Sequence, residues 1–147
     1  MPIKRSVDIL LVEDNPSDAE LIAKALEQHN FIHRVHVVDT GEKALDFLLN
    51  IGDYEGRKGE EAPKLVFLDL NLPKMSGIDV LKEMRANDDL KKIPVVVLTV
   101  SKEEADMLES YRLNVSRYIV KPASFDQFAS ELSELALYWL LFDELPE

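Results

Sequence analysis

The feature that most constrains this chain is a fivefold alternation. Short runs of β-branched and aliphatic residues stand at Val7 to Val12, Arg34 to Val38, Leu65 to Leu70, Val95 to Thr99 and Arg117 to Val120, and each is followed by a stretch with helical periodicity. Runs such as LVFLDL and PVVVLTV show no polar alternation. That is the pattern of strands covered on both faces, as in a parallel sheet held between helices. The expected fold is therefore α/β and doubly wound, with five parallel strands and their helices in one domain over residues 1–147. A single domain of this length buries roughly 70% of the surface its unfolded chain exposes, so packing alone can hold it.

Composition narrows the partners. The chain has 17 Lys plus Arg against 28 Asp plus Glu, a formal net charge of −11, so phosphate backbones and anionic membrane surfaces are repelled. Nucleic acid and membrane are both excluded as expected partners. There is no Cys, hence no disulfide, thiolate metal site or thiol nucleophile. The run Val7 to Val12 is interrupted by Asp8 and runs into Glu13-Asp14, unlike an export signal. The apolar run Leu135 to Phe142 is far short of the ~20 residues of a membrane span. A soluble, cytoplasmic protein is expected.

Helix starts are marked by capping-box spacings at Ser17 with Glu20, Ser101 with Glu104 and Ser124 with Gln127. Pro73 and Gly77 bracket a turn after the third strand, and Pro94 and Pro122 edge the fourth and fifth. Asn50 to Pro63, with Gly52, Gly56 and Gly59 among charged residues, is too polar for a core element and reads as an enlarged, solvated surface loop. His29, His33 and His36 lack acidic or thiol companions and read as structural.

In an open parallel sheet, ligands bind beyond the carboxyl ends of the strands. Those ends carry Glu13 and Asp14 after the first strand, Asp69 after the third, Thr99 after the fourth and Lys121-Pro122 after the fifth. Three converging carboxylates repel one another unless a cation joins them, and an all-oxygen set suits Mg2+. Glu13, Asp14 and Asp69, with a backbone carbonyl near Asn71, are the expected ligands. Lys121 and Thr99 then offer one positive charge and one hydroxyl donor, a pair suited to a phosphoryl group.

Taken together, EDNPSD after the first strand, DLNLPKMSG from Asp69 to Gly77, Thr99 after PVVVL, and YIVKP from Tyr118 to Pro122 resemble the receiver domain of two-component response regulators. The resemblance spans about Ile9 to Leu140. It implies a flavodoxin-like sheet in the order 2-1-3-4-5. It also implies that Asp69 is the phosphoacceptor, that Glu13, Asp14, Asp69 and the Asn71 carbonyl hold Mg2+, and that Lys121 neutralises the phosphoryl oxygens. Thr99 would bond the phosphoryl group, Tyr118 would be the switch aromatic, and Pro122 would be cis. A small residue usually follows the threonine in that family. Val100 stands there in this chain, and whether it narrows the approach to Asp69 or turns away is open on sequence grounds.

The expected role is thus a phosphoacceptor switched by a histidine kinase rather than a turnover enzyme. A haloacid-dehalogenase-type enzyme would place its Asp nucleophile after the first strand with a carboxylate two positions on, whereas position 71 is Asn. A flavodoxin-like carrier would need neutral phosphate donors where Glu13-Asp14 stands. The alternative is a receiver that is not phosphorylated and acts only as a protein-interaction module.

The final segment carries a further expectation. Phe125, Phe128, Leu132, Leu135 and Trp139 recur at helical spacing. Leu137, Tyr138, Leu141 and Phe142 form a second apolar face, which suggests a homodimer through an extended last helix, with Leu135 to Glu147 as its extension and tail. The enlarged loop, the LNLPK context and the LYWLLFDELP ending resemble the stand-alone response regulators paired with phytochromes, which implies a phytochrome-type kinase as donor.

Overall fold

The computed structural model describes residue 7 and residues 9–27, 35–99, 102–110, 112–113, 115, 117–120, 130–131 and 134. Five strands, β1 (Ile9–Val12), β2 (Val35–Val38), β3 (Leu65–Asp69), β4 (Val95–Thr99) and β5 (Arg117–Val120), form one parallel sheet in the order β2-β1-β3-β4-β5. Helices α1 (Pro16–Glu27), α2 (Gly41–Leu49), α3 (Gly77–Ala86) and α4 (Lys102–Ser110) alternate with them. Sequence and structure agree on all five strands to within two residues at each described end. Of the expected last helix, Ser130, Glu131 and Glu134 are described, helical and exposed; its apolar residues and the extension from Leu135 lie outside the described residues.

The two-residue period of a strand explains why these runs are apolar throughout, because alternate side chains serve opposite layers. Leu10, Val12, Val66, Leu68, Val95 and Val97 point to one face, where they pack with Ala44, Phe47 and Leu48 of α2 and Val80, Leu81 and Met84 of α3. Ile9, Leu11, Leu65, Phe67, Val96 and Leu98 point to the other, where they meet Ala19, Ile22 and Leu26 of α1. A one-residue slip would exchange the two sets, so the register is strongly specified. Among the described residues, no helix is long and apolar enough to cross a membrane.

Two local expectations are corrected. Helix α1 starts not at a Ser17 cap but two residues earlier. Asn15 Oδ1 accepts from the Asp18 N–H at 3.1 Å, and Pro16 occupies the first helical position, where its missing N–H costs nothing. The cap of α4 expected at Ser101 and that at Ser124 lie outside the described residues. Caps at Thr40, whose Oγ1 accepts from Lys43 N–H, and at Ser76, in a reciprocal box with Asp79, start α2 and α3.

The segment from Asn50 to Pro63 is also more than a solvated loop. Asn50 takes the left-handed conformation (φ 56°) that ends α2, and a 3-10 helix follows at Gly52–Arg57. Tyr54 lies edge-on to Phe47, with ring centroids 5.0 Å apart, and His36 stacks on the same ring at 4.5 Å. The Arg57 guanidinium lies 3.7 Å from the Phe47 ring centre and donates through Nη1 to the Phe47 carbonyl and Asn50 Oδ1. Most of the segment's polar residues face out, while the Tyr54 and Arg57 side chains hold it to β2 and α2.

Candidate metal and phosphoryl site

The register places the site. Val12 aligns with Leu68, so the residues that follow them, Glu13 and Asp69, leave the sheet at the same level. Glu13 N–H donates to the Val38 carbonyl and Leu70 N–H to the Leu98 carbonyl, carrying the sheet's bonding one step beyond β1 and β3. Side-chain oxygens of Glu13, Asp14 and Asp69 all lie within 4.8 Å of one another. Glu13 and Asp69 are each 2% exposed, whereas Asp14 is open to solvent.

Backbone donors orient both buried carboxylates. Asn15 N–H donates to Glu13 Oε1 at 3.2 Å, and Asn71 N–H donates to Asp69 Oδ1 at 2.8 Å. These bonds aim the side chains without neutralising the cluster. Three oxygen donors gathered at a dry sheet edge, with one exposed to solvent, form a set into which a hard divalent cation fits, with room for water on the open side.

Behind Asp69 the loop is held by a glycine. A Cβ on Gly77 would stand 2.4 Å from the Asp69 carbonyl oxygen and 2.7 Å from Leu70 Cα, distances that real Cβ atoms do not show. Gly77 N–H donates to the Leu70 carbonyl at 3.0 Å, and Lys74, after Pro73, takes a φ of 64° to complete the turn. Pro73 and Gly77 thus bracket a turn as expected. Gly77's second role, giving the backbone of Asp69 space, is not visible in a turn signal.

Thr99 is fully buried at the end of β4, one residue beyond the Leu98 that pairs with Asp69. Its hydroxyl donates to Glu104 Oε2 at 2.7 Å, in the first turn of α4. Sequence reading gave Glu104 only a capping role. Tyr118 lies on β5 opposite Val97 and is 40% exposed. β5 ends at Val120, paired with Thr99; Lys121, Pro122 and Val100 lie outside the described residues.

Beside Glu13 and Asp14, toward β2, lies a cleft of about 510 Å3 lined by Pro16, Ala19, Val37, Lys43 and Tyr54 among others. Lys43 bonds Asp39 at 2.9 Å and holds its carboxyl below the usual range, while burial raises the Tyr54 hydroxyl. On the other side of Tyr54, 3.1 Å from its hydroxyl, sits His36 Nε2. Burial and, next, the Arg57 charge lower the pKa of that imidazole. His36 thus has a packing role, in line with a structural histidine; His29 and His33 lie outside the described residues.

Residues 9–133 match the sequence profile of the response regulator receiver domain. The chain belongs to that family. This receiver is 40% identical over 138 residues to FilR2 of Methanothrix harundinacea (strain 6Ac), a protein named for methanogenesis regulation, covering 94% of this chain and 86% of FilR2. It is 39% identical over 138 residues to response regulator Rcp1 of Synechocystis sp. (strain ATCC 27184 / PCC 6803 / Kazusa), covering 94% and 92% of the two chains. Among solved structures it resembles the phosphorylated cyanobacterial phytochrome response regulator RcpA, with a TM-score of 0.84 and 39% identity over 97% of this chain and all of that one. The Mn2+-bound form of Rcp1 superposes with a TM-score of 0.82 at 38% identity, over 97% and 100% of the respective chains. The receiver family and the 2-1-3-4-5 sheet expected from the motifs both hold.

Proposed function

We propose that this receiver is a phosphoacceptor that takes a phosphoryl group from a histidine kinase onto Asp69, with Mg2+ held by Glu13, Asp14, Asp69 and the Asn71 carbonyl. The observation that carries the reading is the convergence of three carboxylates within 4.8 Å at the end of the central strands, with Asp69 buried among them. When bound, the ion would supply the positive charge that offsets this cluster and the incoming phosphoryl oxygens. In the transfer, an Asp69 carboxylate oxygen bonds to phosphorus while the P–N bond of a phosphohistidine breaks and the imidazole stays with the kinase. Such chemistry needs positioning and charge stabilisation more than covalent help.

The remaining roles follow the matching positions. Asn71 N–H keeps Asp69 Oδ1 aimed. Lys121 supplies a fixed positive charge, Thr99 donates its hydroxyl to the phosphoryl group, and Tyr118 responds by moving from its half-exposed position inward. The likeness to RcpA and Rcp1 supports a phytochrome-type kinase as donor. The apolar run Leu135 to Phe142 would join two copies, a state that sedimentation at tens of micromolar reads as a dimer.

Incubation with acetyl phosphate and Mg2+ followed by intact mass tests the central claim. One phosphoryl group is gained by the wild type and none by Asp69→Asn. A wild type that gains nothing would instead favour a receiver acting only through protein contacts.

A further inference from the structure

We infer that Glu104 is a positioning residue of the switch: in the unphosphorylated receiver it holds the Thr99 hydroxyl toward α4, and must give it up before that hydroxyl can bond a phosphoryl group on Asp69. The inference rests on the phosphoacceptor reading of Asp69 and deepens it. A threonine hydroxyl has one proton to donate. Here that proton is directed to Glu104 Oε2 at 2.7 Å, a well-formed O–H···O bond. The donor is fully buried, so little water competes for it.

The same hydroxyl stands beside the acceptor strand. Thr99 directly follows Leu98, the register partner of Asp69. A phosphoryl oxygen on Asp69 and the Glu104 carboxylate are therefore rival acceptors for one donor, one belonging to the site and the other to the first turn of α4. Phosphorylation would release the contact that ties α4 to β4, which carries a local charge event into a helix facing outward. A glutamate in the first turn of a helix is also favoured by the helix dipole, so the test must separate hydroxyl competition from that structural role.

The measurement is a double-mutant cycle read by calorimetric titration with beryllofluoride, a phosphoryl mimic, at saturating Mg2+. Glu104→Ala should tighten the apparent Kd by about fivefold or more, because the competing state is removed. Glu104→Gln, which keeps a weaker, neutral acceptor, should fall between. In a Thr99→Val background, which removes the hydroxyl but keeps the shape, Glu104→Ala should change the Kd by less than about twofold. Equal tightening in both backgrounds would assign the effect to the glutamate's charge and overturn the inference. So would an unchanged Kd in Glu104→Ala. A wild type that neither binds beryllofluoride nor gains a phosphoryl group from acetyl phosphate would overturn the phosphoacceptor reading itself, and the inference with it.

Discussion

Two regions among the described residues of the receiver hold charge against the core by opposite means. At the ends of β1 and β3, Glu13 and Asp69 share a small volume with Asp14, like charges gathered within 4.8 Å. Around Phe47, the single cation Arg57 lies on an aromatic face, donates to a carbonyl and an amide oxygen, and pairs with Glu60 at 3.1 Å. Only its Nη2 is buried without a hydrogen-bond partner among the described residues. The second arrangement is met largely by the chain's own groups and so contributes to stability. The first gathers like charges at the sheet edge, where a bound divalent cation would add further stabilisation. Like charges gathered by the fold are what a working site looks like, and acceptors gathered around one cation are what a structural joint looks like.

The largest expected effect breaks the joint. Phe47 is 1% exposed and carries His36, Tyr54 and Arg57 on its ring, so Phe47→Ala should cost about 3–5 kcal/mol in urea unfolding. Under conditions where the variant remains folded, it should still take a phosphoryl group from acetyl phosphate. Loss of acceptance in a variant with native circular dichroism would show that joint and site are not separate.

A smaller effect, of opposite sign, is expected at the site. Asp69→Asn keeps an oxygen to accept from Asn71 N–H but removes one of three like charges. In EDTA it should be more stable than the wild type by about 1 kcal/mol or more, since one such repulsion at a buried edge is at least as large as in water. The wild type should gain stability on adding Mg2+ by mass action, whereas the variant should gain much less. Destabilisation of the metal-free variant would mean that the Asp69 charge is already balanced by the chain itself.

The contrast also explains what could be read before any coordinates. The sheet was legible because the apolar runs are long enough to fill two layers, and the strand ends then delivered Glu13, Asp14, Asp69 and Thr99 to one edge. What stayed hidden depends on tertiary proximity rather than local pattern. Gly77 looks like any turn glycine until the Asp69 backbone is seen 2.4 Å from where its Cβ would be. Glu104 fits a capping box, yet its carboxylate engages a threonine five residues back. Asn15 outranked Ser17 as the cap of α1 because Pro16 favours the first helical position. The polar segment after α2 concealed Tyr54 and Arg57, whose partner, Phe47, lies on the preceding helix.

The smallest effect sharpens the comparison through pH. His36 packs against Phe47 and Tyr54, and burial followed by the Arg57 charge lowers its pKa in the folded chain relative to the unfolded one. Above the ordinary histidine range both states carry a neutral ring, and His36 adds no pH dependence. As pH falls below that range, the unfolded chain takes up a proton that the folded chain resists, so stability declines. The decline from His36 stops once the pH passes below its lowered folded pKa. Urea midpoints from pH 8 down to pH 5 should therefore fall more steeply in the wild type than in His36→Phe, which keeps a stacked ring but cannot titrate. Because the site carboxylates are unchanged in that variant, the difference between the two slopes isolates the joint. Parallel slopes would show that protonating His36 costs nothing there, and that the aromatic cluster tolerates a second positive charge beside Arg57.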